Sequence, residues 1–105
     1  MMRLIFPTKK KSGCLDNKCT PFSKARYYTA ISLNNSLVEK VEVLNYTKRT
    51  FWDSDILIVK SARNNDLNKF DNLGIKIYSD DKSKTLNDSI DKFLLGKLKL
   101  LKARL

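Results

Sequence analysis

The stretch Asp55-Ile56-Leu57-Ile58-Val59 decides the fold class of this 105-residue chain. Consecutive apolar residues without alternation are typical of a strand that is covered on both faces, as the strands of a parallel sheet are. A parallel neighbour requires a crossover connection. We therefore expect an α/β domain whose sheet is covered by helices on both sides, or by one helix and an aromatic connection at residues 45–53.

Three further strands are predicted before this run. Leu4-Ile5-Phe6 is a short apolar stretch that Pro7 is expected to end. Residues 27–33 and 37–44 favour strands, and Asn34-Asn35-Ser36 between them tolerates positive φ, which predicts an antiparallel hairpin. We expect the first strand to lie beside the fully apolar one, with the hairpin on its other side.

The rest of the chain predicts two helices separated by a short strand. The Asn64-Asn65 pair can cap the first helix, and Gly74 supplies a left-handed exit. Residues 75–78 follow as a strand. Thr85 with Asp88 three positions later predicts the start of the second helix. Its apolar stripe consists of Leu86, Ile90, Phe93, Leu94, Leu98 and Leu101.

The net charge of +10 is concentrated in two segments. Residues 97–105 hold four cations and no acid, and residues 31–96 are balanced. Clustered like charge raises the local potential and favours an anionic partner, although solubility is an equally good explanation. The first 30 residues hold one acid, Asp16, and seven cations: Arg3, Lys9, Lys10, Lys11, Lys18, Lys24 and Arg26.

We expect a single domain covering residues 1–105. Residues 97–105 form a basic extension that is interpreted as a longer last helix. Docking on a protein partner, on a second subunit or on an anionic membrane surface are the alternatives for this extension. No apolar stretch approaches the roughly 20 residues that span a bilayer, and the first residues lack a secretory pattern, so a cytoplasmic location is expected.

Two cysteines, Cys14 and Cys19, lie in the lysine-rich first loop of a chain that has no histidine. Their spacing occurs within some iron–sulfur sites. Two thiolates cannot complete a four-ligand site, so a cluster would need a homodimer or outside ligands. Metal or cluster ligation, a reversible disulfide and the absence of any special role all stay open.

A binding site is predicted at one edge of the sheet. In an open α/β sheet, ligands bind outside the carboxyl ends of the strands, where the strand order reverses. The expected topology brings the loop after the first strand to the turn after residue 59, and a helix beginning near Asn65 points its free amide groups there. The predicted anion-binding residues are Thr8, Lys9, Lys10, Lys11, Lys60, Ser61 and Arg63, with Cys14 and Cys19 as metal ligands.

Catalysis is not expected. A two-metal nuclease needs carboxylates on adjacent central strands, but the first strand has none and Asp55 begins its strand at the wrong end. A serine or cysteine hydrolase lacks the histidine that would serve as its base. Asp80 and Asp81 are expected to be solvated loop residues.

A nucleic-acid-binding module is the main alternative. The lysines of the first loop and of the basic tail could track phosphates, and Tyr27, Tyr28 or Trp52 could stack on bases. Core packing is the commoner role for aromatic residues at strand spacing, and no recognised nucleic-acid-binding motif accompanies the charge.

Two parts of the sequence carry a family resemblance. The run Gly74-Ile75-Lys76-Ile77-Tyr78, followed by Thr85-Leu86, Ile90, Phe93-Leu94 and Gly96-Lys97-Leu98, resembles the ending of the dinitrogenase iron–molybdenum cofactor biosynthesis proteins. Upstream, the similar segments are Phe6-Pro7-Thr8 and the stretch from Leu15-Asp16 through Phe22-Ser23-Lys24-Ala25 to Tyr27-Tyr28. The resemblance covers roughly residues 3–98.

The resemblance implies a ribonuclease H-like, three-layer α/β fold with a five-stranded mixed sheet in the order 3-2-1-4-5 and two helices. It also implies a small non-enzymatic protein that binds or carries iron–sulfur precursors of a metal cofactor. Three features depart from the family pattern. Pro21-Phe22-Ser23 replaces a His-Phe-Gly, Lys60-Ser61 replaces a Gly-Gly, and the family helix between the third and fourth strands is reduced to about nine connecting residues.

Overall fold

The computed structural model describes residues 2–9, 25–44, 55–60 and 75–102. They contain six strands and one helix. In chain order they are β1 (Met2–Thr8), β2 (Tyr27–Asn34), β3 (Leu37–Leu44), β4 (Ile56–Val59), β5 (Lys76–Ser79), α1 (Leu86–Leu94) and β6 (Lys99–Lys102).

The strands form one mixed sheet in the order β3-β2-β1-β4-β5-β6. β4 is parallel to both β1 and β5, and the other neighbours are antiparallel. The α/β class and the order 3-2-1-4-5 are therefore confirmed. The sheet differs from the expected five strands because β6 adds a sixth, antiparallel to β5.

Both faces of the sheet are buried. Neighbouring residues of the parallel strands alternate between the two faces, and Leu57 and Ile58 are each 0% exposed although they belong to different core clusters. The cluster that contains Ile58 is covered by Leu86 and Ile90 of α1. Burial on both sides explains the unbroken apolar run and matches a three-layer α/β fold.

The hairpin between β2 and β3 turns at two residues with positive φ, Asn35 at 53° and Ser36 at 66°. Positive φ at both central residues defines a type I′ turn, whose twist matches that of the two strands. The predicted hairpin is confirmed. The pairing shifts by one residue between Ser32 and Leu33, which leaves Glu39 as the extra residue of a bulge in β3.

Helix α1 begins where the sequence predicts it. The backbone N–H of Asp88 donates to the Thr85 hydroxyl at 3.2 Å, so Thr85 is the N-cap. The helix ends at Leu94 because Gly96 adopts φ 71°. The N–H of Gly96 then donates to the Phe93 carbonyl, as in a Schellman motif.

The expected helical extension at 97–105 is wrong where the structure describes it, because residues 99–102 form β6. The Schellman motif at Gly96 stops the helix before its apolar stripe is complete. Leu98 and Leu101 therefore leave the stripe and pack against different core clusters, on opposite faces of the sheet.

Pro7 does not end the first strand as expected. It pairs with Tyr28 inside β1, which continues to Thr8. The paired positions between β1 and β4 are Leu4 and Ile5, so Pro7 lies beyond that ladder and its missing N–H is not needed there. The helix expected after Asn65 and the connection at 45–53 lie outside the described residues.

Candidate functional site

The three parallel strands end at one edge of the sheet, which we call the carboxyl edge. Leu4 pairs with Ile56 and Ile5 with Leu57, so the same register continued along both strands places Thr8 level with Lys60. Val59 pairs in turn with Ser79, which puts the end of β5 at that level too. The carboxyl edge therefore comprises residues 8–9, 60 and 79–80, together with the neighbouring starts of β2 and β6.

The order of strands reverses at this edge between β1 and β4. The chain leaves β1 toward β2 on one side, whereas β4 continues to β5 on the other. Such switch points, outside the carboxyl ends of the strands, are where open α/β sheets bind ligands.

Lys9 and Lys60 follow β1 and β4 directly, and both are exposed. The structure therefore brings these two predicted site residues to the same edge, on adjacent strands. Parallel neighbours in a sheet lie about 4.8 Å apart. An anion between the two strand ends could be contacted by both ammonium groups. The other predicted site residues, Lys10, Lys11, Cys14, Cys19, Ser61 and Arg63, lie outside the described residues.

Thr8 is fully buried and holds the end of β1 in place. Its hydroxyl donates to the carbonyl of Tyr27 at 3.5 Å and lies 3.1 Å from the Thr29 hydroxyl. The backbone carbonyl of Thr8 accepts a hydrogen bond from the N–H of Arg26 at 3.0 Å. In this arrangement Thr8 positions the strand end from which Lys9 projects.

Two further cations at the carboxyl edge, Arg26 and Lys99, were not assigned to the site from the sequence. Arg26 precedes β2, which starts beside the end of β1 because the pair is antiparallel. Lys99 pairs with Ser79 as the first residue of β6. The predicted hairpin topology could have placed Arg26, but Lys99 was hidden by the expectation of a helical tail.

Asp80 also lies at the carboxyl edge, and its surroundings correct the expectation of a solvated loop. It is 6% exposed and accepts a hydrogen bond from the Ser89 hydroxyl of α1 at 2.6 Å. The backbone N–H groups of Lys82 and Ser83 donate to its other carboxylate oxygen at 3.2 and 3.0 Å. Asp81, in contrast, is exposed.

These contacts set the ionisation of the Asp80 carboxyl. Burial by itself would raise its pKa, but the hydrogen bonds from Ser83, Ser89 and Lys82 outweigh burial and hold the pKa below the ordinary 3.8. The charged carboxylate therefore anchors the 80–85 turn to α1. Both oxygens of the Asp80 carboxylate accept hydrogen bonds from these donors, so Asp80 has a structural role at this edge.

Within residues 2–9, 25–44, 55–60 and 75–102, no three carboxylate or thiol ligands gather into a set that could hold a metal ion. The charged groups exposed at the carboxyl edge are mainly cations, which suits an anion. The helix in this part of the chain, α1, lacks the length and apolar character to cross a membrane.

No protein-family model and no curated protein matches the chain. Solved structures do. The orange protein of Desulfovibrio gigas, in its apo form, is 14% identical, with a TM-score of 0.75 over 100% of this chain and 97% of that one.

Two other solved structures carry nitrogenase-related names. A Methanocaldococcus jannaschii protein named as a candidate dinitrogenase is 16% identical, with a TM-score of 0.74 over 97% of this chain and 96% of that one. A Thermotoga protein named as a candidate NifB protein of the DUF35 family is 21% identical, with a TM-score of 0.73 over 96% and 94%. At these identities the likeness establishes that the chain shares the fold of these proteins over almost its whole length.

Proposed function

We propose that this chain is a non-enzymatic accessory protein of the nitrogenase-cofactor type that transiently binds an anionic ligand at the carboxyl edge. One observation carries the proposal: the parallel register of β1 and β4 brings Lys9 and Lys60 to the point where the strand order reverses. Arg26 and Lys99 extend the positive charge to the starts of β2 and β6.

An iron–sulfur species or another metal-cofactor precursor is the ligand class that fits best. Such clusters are anionic when thiolates or sulfide complete their coordination, and exposed ammonium groups at one edge would neutralise that charge. The thiolates of Cys14 and Cys19 would supply ligands from the first loop. The apo form of the orange protein and the nitrogenase-related names of similarly folded proteins support a cofactor-associated role.

Transient binding follows from the number of ligands that the chain can offer. Two thiolates and no histidine leave a four-coordinate site incomplete, so a cluster would stay open to exchange with another protein. An accessory protein that passes a precursor onward needs this property. Among the described residues, nothing favours the nucleic-acid alternative over a compact anion.

Anaerobic reconstitution with iron and sulfide tests the proposal. We expect the wild-type protein to gain visible absorption and a Cys14→Ser/Cys19→Ser variant to remain featureless. A Lys9→Glu/Lys60→Glu variant should bind the reconstituted species at least about tenfold more weakly, since two attractive charges become repulsive.

Lys76→Glu is the matched control, because Lys76 is an exposed lysine at the start of β5, at the opposite end of the strands. This variant should bind the reconstituted iron–sulfide species as well as the wild type does. Identical featureless spectra for all four proteins would remove the cluster hypothesis, and equal loading of both lysine variants would remove the carboxyl edge as the site.

A further inference from the structure

Strand β3 forms one outer edge of the sheet and presents an unusual surface for an edge strand. It spans eight residues and pairs with β2 on one side. Among the described residues, no strand pairs with its other side. Leu37 is 72% exposed and Val38 is 38% exposed. Such an edge offers a row of backbone donors and acceptors to an incoming strand.

The other outer strand, β6, is protected more fully than β3, in which the bulge at Glu39 and the single lysine, Lys40, are the protecting features. β6 is only four residues long and begins and ends with lysine. Short edge strands and lysines are common protection against unwanted pairing. β3 is twice as long, and its charged residues are two acids and one base: Glu39, Lys40 and Glu42.

The charges of β3 complement a second copy of the same strand. Lys40 and Glu42 are two positions apart and lie on one face, where the ammonium and carboxylate groups approach to 3.6 Å. If two β3 strands pair antiparallel about a two-fold axis at Val41, Lys40 comes directly opposite Glu42 of the partner subunit. The symmetry repeats this contact, so the interface contains two pairs of opposite charges.

We propose that the protein forms a symmetric homodimer in which β3 of one subunit pairs antiparallel with β3 of the other, centred on Val41. Residues directly opposite each other in such a pair have Cβ atoms about 5 Å apart, which suits a lysine and a glutamate. The two sheets then join into one. A two-fold interface uses the same patch on both subunits and closes on itself.

The dimer is expected to be weak and reversible. One strand from each subunit buries less than the roughly 1,200 Å² of a standard interface. Exposed charge pairs contribute modestly and are screened by salt. We therefore expect a dissociation constant in the micromolar range or above. The two subunits should bind more tightly at low ionic strength. The dimer interface leaves the carboxyl edge with its lysines accessible in both subunits.

Sedimentation over a range of protein concentrations tests the dimer. Lys40→Glu places acids opposite each other across the axis, and Glu42→Lys does the same with bases. Each single variant should therefore dissociate at least about tenfold more readily than the wild type. The double variant Lys40→Glu/Glu42→Lys restores opposite charges at every position and should dimerise like the wild type.

Mixing the two single variants provides the sharpest result. Acids at 40 and 42 on one chain then face bases at 42 and 40 on the other, so the mixture should form heterodimers although neither variant dimerises alone. Unchanged circular dichroism of the variants shows that the fold is retained. A wild type that stays monomeric at all concentrations, or single variants that dimerise as the wild type does, would overturn the proposal.

A different pairing of subunits would produce a different set of oligomers. β3 carries a net negative charge and β6 a net positive one, so head-to-tail pairing of these two strands would produce an open series of oligomers. These oligomers should dissociate more readily in a Lys99→Glu variant. A concentration-dependent series of that kind would overturn the two-fold dimer, whereas a single dimer species insensitive to Lys99→Glu supports it.

Discussion

The two ends of the strands use polar residues for different purposes. At the carboxyl edge, exposed cations follow the central strands, and the buried carboxylate of Asp80 is held by hydrogen bonds from its own turn and from α1. At the opposite end, the hairpin turn and the end of α1 border a groove of about 280 Å³. Its lining residues are Met2, Leu33, Asn34, Asn35, Ser36 and Leu94.

The two ends of the strands depend on different properties of the chain. The opposite end depends on backbone conformations that few residues adopt readily, at Asn35, Ser36 and Gly96. The carboxyl edge depends on side-chain charge. Substitutions at the opposite end should therefore change stability and leave binding intact, whereas those of exposed cations should change binding and leave stability intact. Asp80 is the exception, because it is a structural residue at the carboxyl edge.

Asp80→Asn should have the largest effect on stability, a loss of about 2 kcal/mol. The neutral amide loses the charge-assisted hydrogen bond from Ser89 and weakens those from the backbone N–H groups. Urea denaturation of this variant beside Asp81→Asn measures the effect, since Asp81 is the exposed neighbour and its substitution should change the free energy of unfolding little. Equal losses in both variants would show that the hydrogen bonds to Asp80 contribute no stability.

The same carboxylate predicts the direction of an acid effect. Because the pKa of Asp80 is lower in the folded protein than the ordinary 3.8, its contribution to stability is present above that value. The contribution is lost as the pH falls from the ordinary pKa through the folded-state one. The stability difference between wild type and Asp80→Asn should therefore shrink in acid, and a difference that stays constant would contradict the assignment.

Gly96→Ala tests the end of α1. A Cβ at this position meets nothing within 4 Å, so the cost comes only from holding alanine at φ 71°. We expect a loss of about 1.5 kcal/mol in the free energy of unfolding, with unchanged ligand loading. Asparagine adopts this conformation more readily than alanine, so Gly96→Asn should recover part of the stability. Alanine and asparagine variants of equal stability would mean that backbone strain is not the cause.

Lys99→Glu tests how far the proposed binding site extends along the carboxyl edge. Lys99 begins β6 beside Ser79, and reversing its charge should weaken loading of the iron–sulfide species about fivefold at low salt. The effect should fade as salt is added, because exposed charges are screened. If Lys99→Glu loads as well as wild type at low salt, the cationic surface ends at β4.

Ser36→Gly should have the smallest effect and the opposite sign. Ser36 has φ 66°, and Asn-Gly is the preferred pair for a type I′ turn. Removing the side-chain strain should raise the free energy of unfolding by about 0.5 kcal/mol. Thermal unfolding detects this gain, and a lower melting temperature would indicate that the serine side chain makes a stabilising contact that outweighs the strain.

Much of the fold was predictable because the deciding signals are local. The apolar run at 56–59, the turn residues before Leu37 and the cap at Thr85 each specify an element by their own chemistry. The end of α1 was missed because the leucines after Gly96 continue the helical spacing. The glycine was the stronger signal, since its left-handed conformation redirects the chain into β6.

The candidate site was less accessible to sequence reasoning. Lys9 and Lys60 could be brought together because parallel strands end at the same edge. Asp80 looked like a surface residue because its partner, Ser89, is nine positions away on the far side of a turn. Hydrogen bonds of that kind depend on how the turn is folded, and composition does not reveal them.

β1 lies in the middle of the sheet, so during synthesis on the ribosome it must wait for one of its two neighbours. β1, β2 and β3 are complete once residue 44 has been made, yet the other neighbour of β1 begins only at Ile56. During that interval β1, whose Leu4, Ile5 and Phe6 are fully buried in the folded protein, keeps one side unpaired. Closing it joins Arg3 to Asp55 across 52 residues of chain. The nascent protein is therefore most prone to aggregation just before its own fourth strand arrives.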